Sequence, residues 1–180
     1  LPKWAGGTYY LVLKIDDNNN VFESNEINNW SAPLAMTLVV PDLEPVALSA
    51  PAIGVPGKQI QVITVVTNQG NGTAYSSWYD RFYLSSNAVW DATAYAMDSW
   101  YQGQAVTNGT SYRTTNTMTL PQWPAGAYYL IVRADDYNNL SESVKANNTL
   151  AAPIALTLPD LAAMGLSAPS TVGAGQPMTV

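Results

Sequence analysis

The sequence predicts an all-β protein built from tandem, immunoglobulin- or fibronectin-III-like antiparallel sandwich repeats. Three observations carry this. Apolar and polar residues alternate in short stretches rich in β-branched and aromatic side chains, and no window sustains a helical period. Gly, Asn and Pro punctuate those stretches at turn-like intervals. The sequence also matches itself: Leu1 to Asn29 aligns without gaps on Leu120 to Asn148 with fifteen identities.

The self-match continues from APLAMTL at Ala32 against APIALTL at Ala152, and from LSAP at Leu48 against LSAP at Leu166. The period is about 118 to 120 residues, the size of one β-sandwich domain. The expected organisation is therefore the last part of one unit over 1–40, a whole unit over 41–158, and the first part of a third over 159–180. Neither partial unit has enough strands to bury a sheet face alone, so both are expected to need neighbouring repeats or copies of the same protein.

Within the whole unit the strands expected are Leu43–Ala50, Lys58–Asn68, Trp78–Ser85, a short one near Trp100–Ala105, Ser111–Leu120, Ala127–Asp135 and Asn148–Leu158. Seven strands of this length suit two packed sheets. In AYYLIVRADD, Tyr128, Leu130, Val132 and Ala134 share the face expected in the core, opposite Tyr129, Ile131, Arg133 and Asp135. Trp78 and Phe82 share another core face. Tyr128 after Gly126, like Tyr9 after Gly7, has the placement of a tyrosine corner.

Composition narrows the function. The 180 residues include no Cys and no His, which removes disulfides, thiolate and imidazole ligands and the usual catalytic nucleophile systems. Only 11% of residues are charged and the net charge is −6, so no basic surface exists for nucleic acid or an anionic membrane. Neither nucleic-acid binding nor membrane insertion is expected. Few Lys and Arg with many Asn, Thr, Ser, Gly and Tyr lean toward an exported protein whose signal lies outside this segment. Carboxylate pairs are the remaining catalytic route, and the spacing of Asp80, Asp91 and Asp98 suggests no common cleft, so no enzyme is expected.

The stretch IDDNNNVFESNEINN and its copy ADDYNNLSESVKANN form the most distinctive feature. Each falls in the long connection before the last strand of a unit. Asp16, Asp17, Asn19, Asn20 and Glu23, and their counterparts Asp135, Asp136, Asn138, Asn139 and Glu142, supply the oxygens that Ca²⁺ needs. A bound Ca²⁺ there would stiffen the joint between units. The competing reading is a polar turn in which Asn and Asp bond their own backbone, and a third is sugar binding. SSNAVWDATAYAMD leaves Asp91 and Asp98 isolated and reads as a structural loop. Tyr79, Tyr83, Trp90, Tyr95, Trp100 and Tyr101 form the one candidate aromatic surface for a glycan or protein partner. Trp4 and Trp123 share a repeat position and read as packing residues. Sequons at Asn29, Asn71, Asn108 and Asn147 arise easily in an Asn- and Thr-rich chain.

PDL at Pro41 and Pro159, LSAP at Leu48 and Leu166, VTNQG at Val66, DRFYLSSN at Asp80, GAYYLIVRADDYNNLSES at Gly126 and the trailing asparagine pairs together resemble CARDB, the cell-adhesion-related domain of bacteria. The resemblance implies a fibronectin-III- or immunoglobulin-like fold, repeated in tandem on secreted or surface proteins, and no chemistry of its own. Asn87 and Ala94 stand where similar repeats often carry carboxylates. The expected role is a non-catalytic stalk, surface-layer or filament building block, facing cell-surface proteins or glycans. The alternative is a carbohydrate-binding or accessory module of a secreted hydrolase.

Overall fold

A computed structural model describes residues 4–75 and 77–179 of the chain. Its strands are β1 (Gly7–Leu11), β2 (Leu34–Leu38), β3 (Leu43–Ser49), β4 (Ile53–Gly54), β5 (Gln59–Asn68), β6 (Trp78–Ser85), β7 (Tyr95–Gln102), β8 (Ser111–Thr119), β9 (Gly126–Arg133) and β10 (Thr149–Leu156). β1 and β2 form an antiparallel hairpin. The remaining strands make an immunoglobulin-like sandwich, with one sheet in the order β4-β10-β9-β6-β7 and the other in the order β3-β5-β8. All pairings in the sandwich are antiparallel except the short parallel pair of β4 with β10.

Period-2 patterning explains the layers. Along β5, Ile60, Val62, Thr64, Val66 and Asn68 are buried while the intervening residues are more exposed. One core cluster joins Ile60, Val62, Phe82, Leu84, Met118, Leu130, Val132, Ile154 and Leu156 among others, and a second joins Leu43, Val66, Ala74, Trp78, Val106, Ala134 and Leu140. Thr64, Asp80 and Asn116 interrupt the apolar rows on β5, β6 and β8 between these clusters. Thr64 pairs with Thr114 (2.7 Å), and Asn116 donates to Thr114 Oγ1 (3.0 Å). Asp80 accepts from Tyr112 Oη (2.7 Å), Gln102 (3.2 Å) and the Asp135 amide (3.3 Å). Burial pushes the Asp80 carboxyl up to about 6, against those three donors and Trp78.

Most expected strands fall within two residues of their place, and Leu130, Val132, Ala134, Trp78 and Phe82 are fully buried. Ile131, assigned to the other face of β9, is buried as well, beside its cross-strand partner Tyr83, which is also buried. The strand expected near Trp100–Ala105 instead begins at Tyr95 and ends at Gln102. Opposite Phe82 and Tyr83 the register slips by one residue at Met97, and this bulge in β7 masks the alternation. β4 was not expected: two residues of parallel pairing leave no readable pattern. Over 159–179 no strand forms among the described residues.

Candidate functional site: the acidic-amide loop and the linker it holds

Asp135 and Asn138 adopt left-handed backbone, φ 43° and 57°, and Asp16 and Asn19 do the same at φ 44° and 53°. Short polar side chains tolerate that region by bonding locally. The Asp135 carboxylate accepts the amides of Asn139 (2.7 Å) and Leu140 (2.9 Å), and the Asn138 amide donates to the Asp135 carbonyl (2.8 Å). The earlier copy repeats this: Asp16 accepts from Asn20 (2.8 Å) and Val21 (2.9 Å), and the Asn19 amide donates to the Asp16 carbonyl (2.9 Å). Both loops are therefore turns closed by their leading aspartate.

The second aspartate of each pair goes elsewhere. Asp136 lies against Arg133 (3.3 Å) and Arg81 (3.8 Å) and accepts the Tyr83 hydroxyl (2.7 Å). Burial and that carboxylate raise the Tyr83 phenol to about 12. Asp17 forms an exposed ion pair with Lys14 at 2.6 Å. The side-chain amide of Asn139 donates to the Ser77 carbonyl (3.4 Å).

Glu142 serves the linker. Its Oε1 accepts the Leu43 amide (2.8 Å), its Oε2 accepts the Asn148 side chain (2.7 Å), and Lys145 lies 3.5 Å away. Burial raises the carboxyl above its ordinary range, opposed by these donors. In the earlier copy Glu23 Oε2 accepts the Asn29 side chain (2.8 Å) in the same way.

Residues 40–43 join the hairpin to the sandwich and are all buried. Asn71 Oδ1 accepts the Val40 amide (3.1 Å), and the Gly72 amide donates to the Val40 carbonyl (3.0 Å). The Ser143 amide donates to the Pro41 carbonyl (3.0 Å). Asn68 Oδ1 accepts the Asp42 amide (3.0 Å), and the Gln69 amide donates to the Asp42 carbonyl (2.7 Å). Asn147 donates to the Asp42 carboxylate at 3.0 Å. Counting Leu43 on Glu142, the backbone groups from the Val40 amide to the Leu43 amide all have partners, as buried backbone requires. Gly70 and Gly72 allow the approach, since a Cβ on either would come within 2.7 Å of linker backbone. Two loops, 68–72 and 142–147, thus grip one linker.

Among the described residues no three Asp, Glu, His or Cys side chains stand where they could share a metal ion. Asp91 accepts from Thr93 (2.8 Å) and Asn87 (3.0 Å), and Asp98 from its neighbour Ser99 (2.8 Å), each a local turn. The aromatic surface divides as well. Tyr79 meets Tyr101 and Tyr137, Tyr83 meets Trp90, Tyr95 meets Trp123, and Trp100 packs edge-on against core residue Phe82. The tyrosine corners form as expected, from Tyr128 Oη to the Pro124 carbonyl (3.2 Å) and from Tyr9 Oη to that of Ala5 (2.8 Å).

Sequence reasoning missed Asn68, Asn71, Asp42 and Asn147 as grip residues. The available signal was the recurrence of PDL and of the Glu-to-Asn-pair spacing in step with each other.

The CARDB family profile matches residues 40–152. A crystal structure of a CARDB domain from Pyrococcus furiosus, in complex with di-metal ions, is similar at 18% identity and TM-score 0.50, covering 66% of this chain and 90% of that one. The solution structure of the same domain gives 18% and 0.51, covering 66% and 97%. A domain from a Methanosarcina acetivorans protein, described there as cell-surface, gives 24% and 0.49, covering 66% and 93%. No curated protein matches.

Proposed function

The chain belongs to the CARDB family, and on that premise we propose that it is a non-catalytic repeat segment of an exported surface protein, in which each sandwich is locked to the unit before it. The units are 1–40, 41–158 and 159–180, and the product of the arrangement is a stiff spacer that displays what lies beyond it. The gripped linker carries this reading. A flexible tether would leave its amides to water, whereas residues 40–43 are buried and bonded on both sides. Interfaces fixed in this way transmit orientation from one domain to the next.

A hard cation in the acidic-amide loop is the form of stiffening that the di-metal complex of the Pyrococcus furiosus domain brings to mind. The donors here do not favour it, because Asp135 and Glu142 already hold backbone amides and an asparagine side chain. The turn that satisfies itself is the better account of the loop. Carbohydrate binding loses support from the division of the aromatic residues into separate pairs.

Cysteine substitutions at Thr37 on β2 and Thr117 on β8 test the joint, since both residues are exposed and the chain has no other cysteine. Spin labels there should report one narrow distance distribution, broadened by Glu142→Ala. A broad distribution in the parent chain would refute a locked joint.

A further inference from the structure

The β1–β2 hairpin carries the counterpart of one of the two gripping loops, 142–147, and among the described residues holds nothing with it. Glu23, Ser24 and Asn28 are the counterparts of Glu142, Ser143 and Asn147, offset by 119 residues. Glu23 Oε2 is occupied by Asn29, while Oε1, the oxygen that in Glu142 takes the Leu43 amide, accepts nothing among the described residues. The apolar face beside it is also bare: Leu11 is 61% and Leu13 63% exposed, where their counterparts Leu130 and Val132 are fully buried.

Residues 159–179 carry the complementary half. Pro159, Asp160 and Leu161 repeat the gripped Pro41, Asp42 and Leu43, yet Leu161 is 92% exposed against 0% for Leu43. Leu166 and Met178 repeat Leu48 and Ile60, which pack in the cluster that contains Leu130, Val132, Ile154 and Leu156. The segment already holds the turn that leads out of β4. Gly175 has φ 82° and the Gln176 amide donates to the Gly173 carbonyl (3.0 Å), matching Gly57 at φ 74° and Lys58 to Val55 (3.0 Å).

We propose that the hairpin of one copy binds the 159–179 segment of a second copy, with Glu23 Oε1 accepting the Leu161 amide, Ser24 donating to the Pro159 carbonyl and Asn28 meeting Asp160. Thr171 and Val172, the counterparts of Ile53 and Gly54, add as a short parallel strand along β2, as β4 does along β10. Leu161 then meets Ile15 and Val21, as Leu43 meets Ala134 and Leu140. The contact rests on the grip described above but is made between chains, so it can fail while the joint within each chain stands. It includes no counterparts of β6, β7 and β8, so its buried face is smaller than an intact sandwich and association is concentration-dependent.

Light scattering of the full chain over a wide concentration range tests this with Leu13→Asp and Leu161→Asp, two exposed positions whose replacement does not disturb the sandwich core. The parent chain is expected to rise above its monomer mass of 19.3 kDa, and each variant alone to remain monomeric. An equimolar mixture of the two variants should form a 1:1 complex and stop, because one supplies an intact segment and the other an intact hairpin. A parent chain monomeric throughout, oligomers that survive Leu161→Asp, or a mixture that stays monomeric would each overturn the contact. The spin-label distance within a copy, read on the same samples, reports separately on the locked joint.

Discussion

Replacing Glu142 by alanine removes the one side chain that reaches from the β9–β10 loop to the amide of Leu43. Two donors are left inside: the Leu43 amide and the Asn148 side chain, both bonded to Glu142 at under 3 Å and both buried. An unsatisfied buried donor costs about 1–3 kcal/mol. Removing a carboxylate whose charged form burial disfavours returns part of this. The expected net loss is about 3 kcal/mol, a midpoint lower by about 2 M urea or a melting temperature lower by about 10 °C. Buried Trp78 serves as the fluorescent reporter for equilibrium unfolding.

The control is the same substitution at the repeat counterpart. Glu23 bonds Asn29 but grips no linker, so Glu23→Ala should cost less than about 1 kcal/mol. Glu142→Gln adds a test of sign. Glu142 has its pKa raised, so the protonated form is favoured in the folded state. Its contribution to stability is present below the ordinary carboxyl range and is lost as pH rises through the folded value. Glutamine keeps an acceptor for Leu43 and should abolish that slope, at a smaller cost than alanine. A Glu142→Ala chain within about 0.5 kcal/mol of the parent, or equal costs at 142 and 23, would refute the linker grip as a source of stability.

Asp80 gives a larger pH effect: with its pKa raised from 3.8 to about 6, its contribution is full below pH 3.8 and fades by pH 6. The loss is at most about 3 kcal/mol, and urea unfolding between pH 4 and 7 should show it in the parent but not in Asp80→Asn. Gly70→Ala drives a Cβ to 2.5 Å from the Pro41 carbonyl carbon and should destabilise by more than about 2 kcal/mol in the same assay. Melting curves with millimolar Ca²⁺ and with chelator should coincide, and a clear upward shift with Ca²⁺ would restore the ion reading of the loop.

The strands were legible where one face is wet and the other dry. β5 and β8 alternate cleanly, and their predicted ends differ from the observed ones by a single residue. β7 was legible only in part, because it is an edge strand bulged at Met97, and its apolar residues Met97 and Trp100 reach the core at irregular spacing. The site was harder. Composition showed acids and amides in one loop, and donor chemistry alone made a cation attractive. Adjacent aspartates in fact part company, Asp135 closing the turn and Asp136 facing Arg81 and Arg133. The linker groups that Glu142 and Asn147 hold lie 99 and 105 residues away in sequence, beyond the reach of any local pattern.

The two copies of the loop separate what is local from what is tertiary. Around Asp16 there is no sandwich, yet Asp16 and Asn19 take the same left-handed angles and the same two amide bonds as Asp135 and Asn138. The turn is therefore written in its own few residues and needs no core to form it. Glu23 and Glu142 also hold their following asparagines alike. The difference is the second oxygen, which among the described residues is unengaged in one copy and takes a linker amide in the other. A loop that folds on its own and then offers one aimed acceptor is already shaped for its partner, so little ordering remains when the linker arrives. In the proposed array this gives the recurring acids their use: each unit would bring a preformed socket to its joint, a source of stiffness that needs no ion.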